Sequence, residues 1–409
     1  KVKHVMNLTD VDDKTIKGAR KEGIKLKDFT KRYTKAFFDD MKSLNILPAD
    51  IFPKATEHIK EMTGLIETLR KKGVAYKSTD GIYFDISKFK SYGKLSKVKL
   101  KGLKAGARVR SDLYTKEEAQ DFALWKFWDE EDGDVFWNAK IGKGRPGWHI
   151  ECSAMSMKYL GRTFDIHTGG VDLMFPHHEN EIAQSEAATG KKFVDYWLHG
   201  EHLLVDGQKM SKSLGNFYTL RDILDKGYDP KVIRFLLLSA NFKQKLNFTF
   251  SSLDAAKQTV DNLFNFMKSL KYVKGKKNNP DVKRLIVEVL KEFNDAMDNN
   301  LNINDALASL FKFMNRINRL VNSDAISETD AKNVIKTVLE LDRVLGLDLK
   351  DALKEEKLSR EAERLISERE EARMKGDYKM ADKIRNRLKE EFGIVIEDMK
   401  EGVKWRKLK

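Results

Sequence analysis

Two lysines three positions apart, with a serine after the first pair and another at the end, form the sharpest chemical signal in this chain. The run is Lys209, Met210, Ser211, Lys212 and Ser213, inside VDGQKMSKSLGNF, with Gly207 and Gly215 on either side as places to bend. Lysines at i and i+3 can close on one anionic group, while the hydroxyls of Ser211 and Ser213 and free backbone N–H groups add donors. Such a clamp suits charge that grows on a departing pyrophosphate during attack at an α-phosphate. A solvated basic loop in a lysine-rich chain is the plainer explanation. The exact order inside a glycine-bracketed loop favours the clamp.

A second concentration involves metal-ligating side chains. Six of the eight histidines fall between His149 and His202, and the chain's only cysteine, Cys152, lies among them. GWHIECSAM carries Cys152, and FPHHENEIAQS carries His177, His178, Glu179 and Glu181. Pro176 suits the first turn of a helix, so the spacing puts His177 and Glu181 on one helical face. A thiolate, an imidazole and a carboxylate are a plausible zinc set. Each residue also has an ordinary explanation: a lone cysteine is commonly a buried filler, and a His–Glu pair is commonly a helix-surface contact. No paired C-x-x-C accompanies them, so these residues alone leave the metal open.

Longer strings narrow the choice. The KMSKS run resembles the signature with which class I aminoacyl-tRNA synthetases hold ATP. GWHIECSAM, FDIHTGGVDLMFPHHENEIAQSEA and KMSKSLGNF, in that order, resemble cysteinyl-tRNA synthetases. The similarity continues through NLTDVDDKTIK near the start and ISEREEARMKGDYKMADKIR near the end, so it spans nearly the whole chain. It implies ATP-dependent ligation of L-cysteine to tRNA(Cys) through a cysteinyl-adenylate, with magnesium accompanying the ATP. It also implies a zinc ion held by Cys152, His177 and Glu181 together with an upstream cysteine, and bound in turn by the substrate's thiolate.

The same resemblance distributes further roles. Lys212 and Lys209 are expected to be catalytic. Lys209, Ser211, Lys212, Ser213, Gly169, Gly170 and Asp172 are expected to bind ATP, and Thr9, Trp148 and His167 to close the cysteine pocket. Core packing is the alternative for Trp148, and turn stabilisation for Asp172. Gly169 and Gly170 follow His167, where glycines let a ligand approach the backbone. Cysteine and serine differ by sulfur for oxygen, which shape separates poorly. A soft thiolate on zinc separates them well, and no segment reads as an editing domain.

One expected element is missing. Class I synthetases carry a His-Ile-Gly-His element early in the fold, and neither it nor a second cysteine occurs here. Residue 1 is a lysine, and VKHVMNLTD reads at once as a strand running into a loop. The expectation is a chain that starts inside its nucleotide-binding domain and is incomplete for catalysis by itself.

Composition fits an intracellular enzyme acting on a polyanion. Across 409 residues, 41% hydrophobic and 34% charged content describes a globular chain with room for several domains, and no apolar run is long enough to span a membrane. One cysteine rules out a disulfide framework within the chain and fits a reducing compartment. The net charge of +14 suits RNA, although lysine-rich chains are often basic for solubility alone. The expected location is the cytoplasm, and the expected state a monomer.

The elements that must position these groups follow from periodicity and from the resemblance together. The expected fold is an α/β Rossmann-type class I catalytic core, N-terminally truncated, with an α+β insertion, a helical bundle and a small C-terminal anticodon-binding domain. Residues 1–45 should end the first half of the core, with an amphipathic helix through FTKRYTKAFFDDMKSL. Residues 46–125 should form the insertion, with a helix HIKEMTGLIETLRKKG stopping at Gly73 and an alternating strand GIYFDISKF. The aromatic, acidic segment LWKFWDEEDGDVFW should pack on the core. Residues 126–240 return to the α/β fold with the metal set and the clamp, then a helix pair broken at Gly227 and Pro230. Residues 241–350 carry four apolar-striped helices, with KGKKNNP as a loop between two of them.

Residues 351–409 read as a charged helical hairpin stopping at Gly393, followed by the strand-like IVIED. Resemblance makes Arg373, Tyr378, Asp382 and Asp398 the readers of the anticodon, Tyr378 standing where the family often has tryptophan. A salt-bridged helix pair is the ordinary alternative. Two other functions stay open: a ligase joining cysteine to a small-molecule amine, which residues 351–409 argue against, and a non-catalytic tRNA-binding remnant, which the intact clamp argues against.

Overall fold

Asp12 accepts a hydrogen bond from Thr15 N at 2.6 Å, and the Thr15 hydroxyl accepts from Asp12 N at 2.8 Å. This reciprocal cap starts α1 (Asp13–Glu22), and α2 (Leu26–Ser43) follows as the expected amphipathic helix, burying Phe29 and Met41. The computed structural model describes residues 1–98, 108–109, 120–354, 358–398 and 403–407, in two compact units, Lys1–Leu349 and Lys350–Lys409. The strand expected in VKHVMNLTD reduces to two isolated parallel bridges, Val5 with Ile51 and Leu8 with Lys54. Its partner segment contains Pro48 and Pro53, which have no N–H to donate, so a longer ladder does not close.

After α3 (Ile59–Lys71) comes a mostly antiparallel sheet built from β1 (Ala75–Lys77), β2 (Gly81–Phe84), β3 (Arg108–Val109), β4 (Asp121–Phe127), β5 (Trp137–Ala139) and β6 (Gly142–Pro146). Its order is β1-β2-β4-β6-β5, with β3 pairing parallel to β4. All four residues of β2 are buried, so the alternation expected in GIYFDISKF gives way to a strand covered on both faces and a 3-10 turn at Ile86–Lys88. The aromatic, acidic segment does enter the core, with Trp125 fully buried. The boundary expected at 125/126 falls inside β4, and the sheet runs on to Pro146. Buried Lys126 and Arg145 both pair with Asp13, at 3.1 and 2.6 Å, and Arg145 also pairs with buried Asp132 at 2.6 Å.

The nucleotide-fold portion is a βαβ unit. It comprises α4 (Trp148–Leu160), β7 (Phe164–Gly170), α5 (Glu179–Thr189) and β8 (Val194–Gly200). β7 and β8 pair in parallel from Phe164 with Val194 to Gly170 with Gly200, and α5 makes the crossover between them. Next, β9 (Leu203–Val205) joins β10 (Gln208–Lys209) antiparallel and β11 (Leu246–Phe248) parallel. Between them α6 (Leu220–Leu224) and α7 (Pro230–Leu238) form the expected pair, the second started by Asp229 as cap and Pro230 as first residue.

Four long helices complete the first unit: α8 (Phe250–Lys271), α9 (Pro280–Asp298), α10 (Ile303–Asn322) and α11 (Glu328–Leu345). They bury their apolar stripes, such as Val282, Leu285, Val289 and Phe293 on α9. The second unit has its own small core of Ala362, Leu365, Ile384, Leu388, Ile394 and Ile396. It consists of α12 (Arg360–Met374), α13 (Tyr378–Phe392), and the antiparallel strands β12 (Ile394–Asp398) and β13 (Val403–Lys407). No helix among the described residues is long and apolar enough to cross a membrane.

A single guanidinium joins three helices. On α7, Arg234 donates Nε to Leu345 O at 2.5 Å, and Nη1 to Leu44 O at 2.7 Å and Asn45 O at 3.1 Å. It therefore binds the last carbonyls of both α11 and α2, where helix dipoles favour a cation. Replacing Arg234 by Ala should lower unfolding stability by about 2–3 kcal/mol, because partly buried carbonyls lose charged donors. Lysine should restore less than half of this, since it cannot reach three acceptors as a fork. Urea denaturation followed by circular dichroism measures both changes, and an unmoved midpoint would count against the pin.

Candidate metal centre and phosphate clamp

Helix α5 presents an unusual problem: Glu179, Asn180, Glu181, Gln184 and Ser185 are polar and yet fully buried. Each buried carboxylate must find donors. Glu179 takes the backbone N–H groups of Gly93 and Ser96, at 2.7 and 2.8 Å. Asn180 accepts from the Tyr92 hydroxyl, and Gln184 donates to His149 O at 2.9 Å and Ser153 Oγ at 3.0 Å. Glu181 instead lies between two histidines, with Oε2 3.0 Å from His167 Nε2 and Oε1 3.2 Å from His177 Nε2. Burial opposes its charge, but the two histidines prevail and hold the carboxyl well below the usual range.

Cys152 on α4 completes the cluster. Ligand atoms of Cys152, His177 and Glu181 lie within 4.8 Å of one another, so the three predicted ligands do come together. His177 and Glu181 are four residues apart as expected, though the helix starts differently. Pro176 and His177 belong to a π turn, Met174–His178, that leads into α5. Glu181 Oε1 is buried and has no hydrogen-bond partner, although His177 Nε2 faces it. Two Lewis-basic atoms directed at each other without a shared hydrogen bond are what a cation between them would require. The Cys152 thiol is pushed well up by burial and then by the Glu181 and Glu151 carboxylates, and a divalent ion would reverse that balance. The residues present fit a soft divalent metal.

The surrounding rings tune this set. His149 Nδ1 lies 3.0 Å from His177 Nδ1, and burial pushes the His149 ring well below its usual pKa. If His177 Nε2 is to offer a lone pair, its Nδ1–H must donate to His149 Nδ1, which fixes both tautomers. Trp148 lies against the His177 ring, with centroids 4.2 Å apart. His167 stacks on Trp197 at 4.6 Å. Burial weighs against its charge, but the Glu181 carboxylate raises its pKa overall. His178 is pushed down to about 3 by burial and pairs with His199 at 2.8 Å. A Cβ on Gly169 would lie 2.6 Å from the His178 ring, so the open space beside β7 is filled by a protein ring. His149, Trp197 and His199 are given no role by the sequence reading, and His178 is named there without one; the histidine density from 149 to 202 is the signal for the three histidines, and Trp197 has none.

Two other predicted residues sit in a turn and a loop. Asp172 is exposed in the 3-10 turn Val171–Leu173 after Gly170. Thr9 accepts from Asn7 Nδ2 at 3.3 Å, and no hydrogen bond joins it to the histidine cluster among the described residues. Its loop is anchored by buried Asp10, which accepts from Thr56 N at 2.9 Å and from the Thr56 hydroxyl at 2.6 Å.

The phosphate clamp follows β10. Ser211 N donates to Asn216 Oδ1 at 2.8 Å, and Asn216 Nδ2 donates to Lys209 O at 3.2 Å, which closes the loop on itself. Ser211 and Ser213 share a hydrogen bond at 3.1 Å. Lys209 and Lys212 are exposed, Lys212 lying 5.4 Å over the Phe217 ring. Among the described residues no carboxylate pairs with either lysine, so both charges are available to an anion. In the second unit, Arg373 and Tyr378 flank the turn between α12 and α13, and Asp382 lies one helical turn beyond Tyr378, which is 65% exposed. Asp398 ends β12, and its side chain lies outside the described residues.

A nucleotide-type βαβ unit with a lysine clamp, joined to a helical bundle, is the architecture of a class I tRNA synthetase. Residues 1–258 match the tRNA synthetases class I (C) catalytic domain, 292–350 the DALR domain, and 355–406 the cysteinyl-tRNA ligase anticodon binding domain. A cysteine–tRNA ligase from Brachyspira hyodysenteriae is 47% identical over 99% of this chain and 87% of its own length, and one from Protochlamydia amoebophila is 46% identical over 99% and 85%. The chain belongs to the cysteinyl-tRNA synthetase family. A methionyl-tRNA synthetase from Mycobacterium tuberculosis, bound to methionyl-adenylate, shares the fold with a TM-score of 0.66 at 13% identity, covering 86% of each chain.

The raised thiol makes metal binding dependent on pH. Below its pKa Cys152 keeps its proton, which must leave when a metal binds, so affinity should rise about tenfold per pH unit between about 7 and 8. Chelator competition measures this slope, and Cys152→Ser should flatten it. A flat slope in the parent protein would remove Cys152 from the ligand set.

Proposed function

We propose that this protein ligates L-cysteine to tRNA(Cys) with ATP, by way of a cysteinyl-adenylate, and that zinc at Cys152, His177 and Glu181 selects the amino acid. The observation that carries this reading is the buried, unsatisfied Glu181 Oε1, gathered with a thiol and an imidazole whose ligand atoms lie within 4.8 Å of one another. When bound, zinc supplies a soft Lewis-acid position that takes a substrate thiolate and leaves a serine hydroxyl weakly held. Trp148 and His167 close the pocket around the side chain, and Thr9 borders it.

The cysteine carboxylate attacks the α-phosphorus of ATP in line, forming one P–O bond as the bond to pyrophosphate breaks. Gly169, Gly170 and Asp172 position the nucleotide. Lys209 and Lys212, with Ser211 and Ser213, meet the charge that develops on the departing oxygens, which magnesium accompanies. Cysteine then passes to the terminal adenosine of the tRNA. Arg373, Tyr378, Asp382 and Asp398 read the anticodon: an aromatic ring can stack on an unpaired base, and a carboxylate can accept from a base amino group. The enzyme works as a cytoplasmic monomer. A small-molecule amine as acceptor is disfavoured by the anticodon-domain match over 355–406.

Cysteine-dependent pyrophosphate exchange tests the clamp. Lys212→Ala should cut it by two to four decades, about 3–5 kcal/mol in the barrier, with metal content unchanged. Exchange at the parent rate would defeat the assignment. His177→Ala should lower metal content and the preference for cysteine over serine together. Retention of both would remove zinc from the selection step.

A further inference from the structure

Between α8 and α9 the chain reads KYVKGKKNN, residues 271–279, a composition that normally describes a loose solvated loop. Here it is clipped to the connection between α10 and α11. Gly275 bridges Ser327 in parallel, and Gly275 O accepts from Glu328 N at 2.8 Å. A Cβ on Gly275 would run into the Ile326 carbonyl, so only glycine lets the two segments approach this closely. Ser327 Oγ donates to Asn278 Oδ1 at 2.6 Å; Asn279 donates N to Asp330 Oδ2 and Nδ2 to Ala325 O, both at 2.8 Å.

The clipped backbone displays a particular surface. Lys274, Lys276, Lys277 and Lys283 are exposed, and Tyr272 is 61% exposed with the Lys271 ammonium 6.0 Å from its ring. Nearby acids are mostly engaged by other groups, although Glu328 also attracts Lys274. Glu328 pairs with Lys332 at 2.8 Å, Asp281 with Arg284 at 2.8 Å, and Asp330 with the backbone of Asn279 and Ser327. Beside the loop a groove of about 680 Å³ runs between α9 and α11, with Lys283 and Lys336 along it.

We infer that this clipped loop is a second RNA-docking surface, which grips the sugar–phosphate backbone of the tRNA and stacks an unpaired base on Tyr272. The inference rests on the tRNA reading above and adds a contact within the first unit, outside the anticodon hairpin. Clustered ammonium groups release counterions when they meet phosphates, and an exposed aromatic ring offers a stacking face. A floppy lysine loop would be ordered on binding at an entropic cost, whereas this one is held in advance.

The test is binding of fluorescently labelled tRNA(Cys) transcript to the full chain across a salt series. Combined Lys274→Ala, Lys276→Ala and Lys277→Ala should reduce the slope of log affinity against log salt by about two to three. A control with Lys60, Lys71 and Lys88 each changed to Ala lowers the net charge from +14 by the same amount and should change the slope by less than half as much. Tyr272→Ala should weaken binding about fivefold or more, and Tyr272→Phe should retain it. Gly275→Ala alters no charge and should also weaken binding, with circular dichroism confirming intact helices. Equal losses in the two lysine triples, or a loop triple that binds like the parent, would overturn the inference. A parent chain that does not bind tRNA at all would instead sink the functional reading beneath it.

Discussion

A carboxylate buried without water must be surrounded by donors or cations, and Glu181 imposes that demand on the centre of this fold. Removing such a charge from water costs several kcal/mol even after relaxation. Three elements answer it: α5 brings His177 from the preceding turn, β7 brings His167, and α4 brings Cys152. Two neutral imidazoles would be poor compensation. The Glu181 carboxylate raises the pKa of His167 in turn, and a divalent ion would supply compensating positive charge. The polar lining of α5 follows from the same constraint, because a helix that must hold a buried ligand set cannot also be an apolar core helix. It meets the hydrophobic cluster only through the small side chains of Ala183, Ala187 and Ala188 among the described residues.

Phosphate chemistry is placed under the opposite conditions. Lys209 and Lys212 stay exposed and without carboxylate partners, on a short loop held by Asn216. A lysine committed to a buried ion pair would have to break it before meeting pyrophosphate; an exposed one needs only to shed water. On the proposed reading, selection by sulfur would occupy buried surroundings and charge neutralisation an exposed loop. The two tasks need different dielectric surroundings, and the chain separates them on different elements.

Local features of this architecture were legible in the sequence. Helices α8 to α11 showed their stripes, α3 stopped before Gly73, and the break at Gly227 and Pro230 separated α6 from α7. His177 and Glu181 could be paired because a four-residue spacing survives both the π turn and the α-helix around it. Tertiary features were not legible. GIYF gave no sign that β2 would be covered on both faces, and VKHVMNLTD looked like a strand because periodicity ignores the prolines of its partner. His149 and His178 matter through rings brought from 28 and 21 residues away, at His177 and His199, which no local pattern encodes.

An ion network also ties the start of the chain to the helix that carries Cys152. Asp13 stands at the start of α1, shortly after Thr9, and Arg145 stands just before α4, whose first residue is Trp148. Their 2.6 Å contact, with Lys126 and Asp132 on either side, ties the segment after Thr9 to the helix that carries Cys152. Hydrophobic packing alone would permit sliding between these segments, since apolar contacts are non-directional. A guanidinium with two carboxylates fixes distance and angle together, and its burial weakens screening by salt. Desolvating Lys126, Arg145 and Asp132 is a real cost, while Asp13 stays 51% exposed. On the proposed reading the network would secure the relative position of two segments that meet one small substrate.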